Sequence, residues 1–406
     1  MNKKIIYIIL LYIFLFSPPV GIGPYKINLG WLLWPISVGY VLSKPTEFGV
    51  FLGRFKVEFS VFIYLLAFAF LRAAAGGDIS LFMTSNLFSL FTLFTVPFFL
   101  IEKGKSISTS LDDNISYILI ACTIAVIITM LCLSIPAIDD IVRNKIIKYR
   151  DDELGSEWGF RNFGFGAHLT SHYSFVIGMI VAIGIFFRKR WFYFVIPFAI
   201  LACMVNARTG VIVAFSGILV YFFRSRSIWA SLLVSILGIL TWTYLGDMLI
   251  FFGANEDTLR WTGVFATEMD SIASGDVKET TFGFIWTKMF VMPKDAVWLL
   301  FGNGYSLFGG RVTEYGYLIS DIGFVNHLCF GGLFYVIPLY YLVFRVCSRF
   351  RRYGFKLLSY FIIIAFFIIN FKGQFVLNTT CFSLTLFLYY LVDYFDRRKR
   401  LDKSKN

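Results

Sequence analysis

A small set of polar and cationic side chains interrupts otherwise apolar sequence. Arg208 sits inside "CMVNARTGVIVAF" (203–215), Asp321 and His327 inside "YGYLISDIGFVNHLCFGGLF" (315–334), and Lys372 inside "NFKGQFVLNTT" (370–380). Arg260 and Arg311 lie in the long stretch between two apolar blocks. Guanidinium groups donate paired hydrogen bonds in a planar fork that matches phosphate oxygens. An imidazole or a carboxylate takes a proton from a hydroxyl. Lys372, with Gln374 and Asn378, suits a polar ligand, and a polar turn explains it equally well. His168 and His172 in "HLTSH" are four apart and share a helix face, but no HExxH and no third ligand accompany them, so no metal is expected. The six cysteines form no CxxC pair, which argues against a disulfide framework and a Cys-based zinc site. Without GxxxxGK[ST] or GxGxxG, neither nucleotide hydrolysis nor a dinucleotide is suggested, and no cofactor is expected. "FGNGYSLFGG" (301–310) reads by itself as a flexible turn, because it joins no strand to a helix.

The elements that hold these groups follow from composition. Of 406 residues, 58% are hydrophobic, 20% aromatic and only 15% charged, values far from those of a soluble domain. Apolar runs of spanning length lie near residues 5–20, 27–43, 56–71, 81–101, 115–135, 168–187, 191–206, 208–223, 228–246, 323–344, 355–370 and 375–392. They predict an all-α, polytopic integral membrane protein with about 12 transmembrane helices, forming one membrane-embedded domain over 1–406. A β-barrel would alternate apolar and polar residues, and "SYFIIIAFFII" does not. The opening "MNKKIIYIILLYIFLFSPPVG" resembles a signal peptide but lacks an A-x-A-like site after its apolar core, so a retained helix is expected.

With the N-terminus inside, most of the 37 Lys and Arg fall on the inner side in runs such as "RKR", "RSR", "RVCSRFRRYGFK" and "RRKR". Both termini are therefore expected in the cytoplasm. The net charge of +12 reflects this topology and implies no nucleic-acid partner. Two outer segments are long, about 136–167 and about 247–322, and function is expected there. "TFGFIWTKMFVM" (281–292) is too short to span; it reads as a helix on the membrane surface, a re-entrant piece, or a small helix packed within the loop.

Topological parity makes 191–223 a hairpin that turns near "NARTG", since the basic runs on both sides of it belong inside. Its arms are short for a core of roughly 30 Å, so the turn should be sunk below the outer surface. Arg208 would then line a pocket open to the outside, or snorkel to lipid phosphates. His327 lies about a turn inside the span that begins near Gly323, either buried and packed by Gly331 and Gly332 or functional. Asp321, just outside, suits a helix cap or a catalytic carboxylate. These groups fall on one side of the membrane with Arg260 and Arg311. A ligand that is embedded in the membrane, carries phosphate and is approached from outside is most simply a lipid-linked phosphate or pyrophosphate.

The many-helix body, the "ARTG" turn, "LLFGNGYS" (299–306) and "SDIGFVNHLCFGGLFY" (320–335) together resemble the O-antigen polymerases (Wzy-type) and the related O-antigen ligases. One departure stands at Leu219, eleven residues after Arg208, where some polymerases carry glycine. The resemblance implies a metal-independent glycosyltransferase of GT-C-like architecture, with its long loop (about 247–322) in the periplasm of a bacterial inner membrane. Its substrates would be undecaprenyl-pyrophosphate-linked oligosaccharides, with membrane lipid around it and a chain-length regulator protein as partner. Arg208, Arg311 and Arg260 would bind pyrophosphate, His327 or Asp321 would accept the proton, and Lys372, His168 and Arg161 would be further substrate contacts. A ligase joining finished glycan to lipid A core, and a flippase for lipid-linked sugars, are the competing readings; the long outer loop favours the enzymes.

Overall fold

The computed structural model describes residues 2–22, 25–79, 86–148, 163–166, 170–225, 245–252, 271, 274–275, 280–308, 310–313, 316–373, 375–376 and 380–405. Arg161, His168, Arg260, Gln374 and Asn378 lie outside the described residues, as does most of the apolar run 228–246. The structure is mostly helical. Its principal helices are α1 (Lys3–Phe16), α2 (Leu33–Ser43), α3 (Pro45–Arg54), α4 (Lys56–Ala74), α5 (Val96–Lys105), α6 (Leu111–Ser134), α7 (Thr170–Phe186), α8 (Ile196–Asn206), α9 (Arg208–Ser225), α10 (Ala296–Phe301), α11 (Gly323–Arg352), α12 (Lys356–Lys372) and α13 (Thr380–Lys405).

Among the described residues, α4, α6 and α11 are long and apolar enough to cross a membrane. Other expected segments form shorter apolar helices, among them His172–Phe186, Ile196–Asn206 and Arg208–Phe223. Hydropathy registers the apolar runs but not their interruptions. The run at 191–206, for example, opens with the 3₁₀ turn Arg190–Phe194 and becomes α-helical only at Ile196. The all-α expectation also misses two short antiparallel hairpins, β1 (Pro19–Ile22) with β2 (Tyr25–Asn28) and β3 (Arg311–Thr313) with β4 (Gly316–Leu318). The first follows from "SPP": Ser17 takes a left-handed conformation, and the two prolines after it cannot donate to a continuing helix.

The chain divides into two compact units, Met1–Leu33 with Lys103–Met269, and Trp34–Glu102 with Asp270–Asn406. In the first, α1 packs on α6, where the Tyr7 hydroxyl donates to Asn114 Oδ1 at 3.2 Å. Helices α7, α8 and α9 form its densest packing. Ser174 Oγ on α7 donates to the Cys203 and Ala207 carbonyls at 3.2 and 2.6 Å, and Gly184 faces Phe192, so α8 runs antiparallel to α7. Gly178 faces Gly210, Val213 and Ala214, and the Phe186 and Tyr221 rings lie 6.4 Å apart, so α9 runs parallel to α7. Helices α8 and α9 are therefore a hairpin, turning at the extended residue Ala207 (φ −158°, ψ 122°). The glycine of "ARTG" serves packing rather than the turn itself. A Cβ on Gly210 would stand 1.9 Å from Ser174 Oγ, and one on Gly178 would stand 2.4 Å from the Gly210 carbonyl. Only glycine at both positions lets the two backbones approach this closely.

In the second unit, rings of Phe51, Phe55, Phe98, Tyr389 and Tyr390 pack where α3, α5 and α13 meet. Beside them Glu58, 1% exposed, accepts from Arg345 Nε at 2.7 Å and from the Tyr389 hydroxyl at 3.3 Å. Helix α11 is interrupted at Gly332 (φ 61°, ψ −163°) and carries Pro338. Proline has no N–H for the carbonyl four residues earlier, and the Tyr64 hydroxyl donates to that carbonyl, Phe334 O, at 3.2 Å.

Candidate functional site

The interruption of α11 organises one part of the second unit. Because the helix breaks at Gly332, the Cys329 and Phe330 carbonyls lose their partners one turn ahead. They accept instead from the backbone N–H groups of Asn303 at 2.7 Å and Gly304 at 3.0 Å. The two segments interdigitate at glycines: a Cβ on Gly302 (φ +70°) would stand 2.5 Å from the Phe330 carbonyl, and one on Gly332 would stand 2.4 Å from the Leu300 carbonyl. The start of "FGNGYSLFGG", a segment read alone as a flexible turn, is docked into the helix break.

Further groups fix the docked segment. Arg72 Nη2, near the end of α4, donates to the Gly302 carbonyl at 2.9 Å, and the Asp78 N–H donates to Gly304 O at 2.9 Å. Asn326 on α11 accepts from Ser306 Oγ (2.6 Å) and the Leu307 N–H (2.8 Å) and donates to the carbonyls of Ser320 (2.8 Å) and Ile322 (2.9 Å). Beneath lies a core of Ile285, Met289, Trp298, Leu307, Ile322, Val325 and Cys329. Ile285 and Met289 belong to "TFGFIWTKMFVM", a short helical piece that shares this core with Val325 and Cys329 of α11.

The structure places the expected site residues unevenly. Arg311 stacks on Tyr305, with its guanidinium carbon 4.1 Å from the ring centroid, and lies 3.8 Å from Asp78. Asp321 does not cap α11: the N-cap is Ile322, without a side-chain hydrogen bond, and the Asp321 carboxylate lies 3.5 Å from Lys372 Nζ. The ammonium at the end of α12 offers this carboxylate a charge partner, which the α11 N-terminus cannot match with partial charges alone. His327 is 5% exposed; its Nδ1 is 3.0 Å from the Tyr340 hydroxyl, and the Val376 backbone also faces the ring. Arg208, half-buried, is the first residue of α9 in the other unit and stands at the hairpin turn.

Sequence reasoning missed Arg72, Asp78, Asn326 and Tyr340. Arg72 and Asp78 bracket "RAAAGGD", where an arginine closing an apolar run beside two glycines was a usable signal. Tyr340 gave none, since it stands in an apolar run beyond the break. Among the described residues no group of three His, Cys, Asp or Glu side chains converges as a metal site would require.

No protein-family model matches the chain, and neither curated proteins nor solved structures yield a match.

Proposed function

We propose that this chain is a polysaccharide repeat-unit polymerase of the Wzy kind, a polytopic protein of about 12 spans in a bacterial inner membrane with both termini cytoplasmic. The observation that carries the proposal is the docking of "LLFGNGYS" into the break of "NHLCFGGLF" through the Asn303 and Gly304 N–H groups. The two segments that carry the family resemblance are one physical unit, and among the described residues three helices have the length and apolarity to span. In this reading the growing glycan leaves undecaprenyl pyrophosphate for a hydroxyl of the next lipid-linked repeat unit at the periplasmic face. The hydroxyl oxygen bonds to the anomeric carbon, the bond from that carbon to the pyrophosphate oxygen breaks, and the hydroxyl proton passes to Asp321 or His327. Cationic side chains, Arg208, Arg311 and Arg260, stabilise the departing pyrophosphate, whose weak basicity removes the need for an acid. Lys372, His168 and Arg161 contact the glycan, and a chain-length regulator acts beside the enzyme.

What accumulates in a deletion strain tests this. Loss of a polymerase leaves lipopolysaccharide capped with one repeat unit, which is the expected result. Bare core with polymer held on undecaprenyl pyrophosphate would assign the chain as a ligase, and bare core with single units trapped inside would assign it as a flippase; either overturns the proposal.

Arg208→Ala is expected to abolish polymer in complemented cells at normal protein level, and Arg208→Lys to restore only part, because a point charge does not reproduce the fork. Polymer of ordinary length and amount from the alanine variant would leave Arg208 with a lipid-anchoring role alone.

A further inference from the structure

Helix α10, "AVWLLF", is apolar throughout, yet five of its six residues are exposed and only Trp298 is buried. A loop helix in water buries its apolar face, whereas this one turns Val297, Leu300 and Phe301 outward at the i, i+3, i+4 spacing of a single face. Helix α11 continues that face. Phe334, Ile337, Tyr341 and Phe344 are exposed at helical spacing, and Phe301 stacks on Phe334 with ring centroids 5.1 Å apart. An apolar patch shared by a short helix and one long enough to span calls for an apolar surrounding.

Two rulers set the depth of the patch. The buried Glu58–Arg345 pair joins α4 and α11 near their charged ends, which carry Lys56 on one and Arg349, Arg351 and Arg352 on the other. From Glu58 to Arg72 is 14 residues along α4, about 21 Å, and from Arg345 to Gly332 is 13 residues along α11, about 20 Å. Both lead to one place, since Arg72 holds the Gly302 carbonyl and the break at Gly332 admits 302–304. A hydrocarbon core is about 30 Å thick, so the docked turn lies about 10 Å short of its opposite face. The segment returns towards the start of α11: Trp298 shares a core with Ile322, Val325 and Cys329, and after the turn Ser306 and Leu307 donate to Asn326.

Non-helical backbone at such depth must be paired within the protein. Four successive N–H groups are paired: Gly302 donates to the Trp298 carbonyl at 2.8 Å, Asn303 and Gly304 to α11, and Tyr305 to Asn303 Oδ1 at 3.4 Å. The Gly302 and Gly304 carbonyls accept from Arg72 and from the Asp78 N–H. We infer that residues 296–305 form a re-entrant element, and that the outward face of α10, continuous with Phe334, Ile337 and Tyr341 of α11, is a surface for the acyl chains of membrane lipid. This rests on α11 crossing the membrane and not on the polymerase reading.

Nitroxide labels in the full chain, held in lipid nanodiscs, test the depth. Lys294→Cys, Val297→Cys, Phe301→Cys and Ile337→Cys each carry one label; the six native cysteines are buried, and wild type supplies the blank. Collisions with oxygen, which concentrates in hydrocarbon, are compared with collisions with a water-soluble nickel chelate. The oxygen-to-nickel ratio is expected to rise from 294 through 297 to 301, and at 301 to match 337. A label at 301 as open to nickel as that at 294, with 337 in lipid, would overturn the re-entrant element and leave α11 a span. Nickel access at both 301 and 337 would overturn both.

Unsubstituted protein gives a second measurement. With phospholipid carrying a diazirine midway along one acyl chain, illumination is expected to leave adducts on 297–301 as well as on 334–341. Adducts on 334–341 alone would overturn the inference.

Discussion

Gly332→Ala is expected to destabilise the second unit severely. Its backbone, at φ 61° and ψ −163°, lies in a region that residues with a Cβ essentially never occupy, and occupying it costs about 1–3 kcal/mol. The added carbon would also stand 2.4 Å from the Leu300 carbonyl and 2.5 Å from Phe301 N. Neither atom is the end of a flexible side chain, so backbone must move, at about 1–3 kcal/mol more. The combined loss of about 2–6 kcal/mol is a large share of ordinary protein stability. Gly39→Ala in α2 is the control, because nothing lies within 4 Å of its added Cβ. There alanine should be neutral or stabilising by up to about 1 kcal/mol. Unfolding midpoints in detergent measure both, and equal midpoints for the two variants would refute the docked helix break.

Arg345→Ala should be nearly as costly, through electrostatics and not shape. Glu58 is 1% exposed; its Oε1 is held by Arg345 at 2.7 Å and its Oε2 has no hydrogen-bond partner among the described residues. Removing the guanidinium strands a buried carboxylate with only the Tyr389 hydroxyl, 3.3 Å away. Breaking a buried pair on one side costs about 3–5 kcal/mol, while replacing both members is often nearly neutral. The double variant Glu58→Gln with Arg345→Met should therefore recover most of the loss. If the double variant unfolds as early as the single, the pair is not what Arg345 contributes.

The parts of this architecture that follow from one-dimensional regularities were legible in the sequence. The hairpin at Ala207 came from basic runs on both sides of an apolar stretch, because parity requires the chain to return. Long-range competition was not legible. Asp321 looked like a helix cap because it precedes Gly323, but Lys372 on α12 claims its carboxylate. Gly331 and Gly332 looked like packing room around His327; Gly332 breaks the helix and admits 302–304. The glycine of "ARTG" was read with the turn, although Ser174, 36 positions earlier, is what requires it. Interruptions such as the 3₁₀ turn Arg190–Phe194 were not legible for a related reason, since an apolar run has the same hydropathy whether or not it is interrupted.

The break in α11 also constrains how this half of the protein is built. Unpaired backbone groups in hydrocarbon cost several kcal/mol each, and bent α11 on its own would expose two carbonyls, those of Cys329 and Phe330. The N–H groups that satisfy them belong to Asn303 and Gly304, which leave the ribosome before the helix does. In the proposed membrane topology, the translocation machinery therefore cannot release 323–352 into lipid as an autonomous bent segment. Either the helix enters straight and bends only when 302–304 arrives, or the two are handed over together, which makes biogenesis of this region a concerted event instead of helix-by-helix delivery.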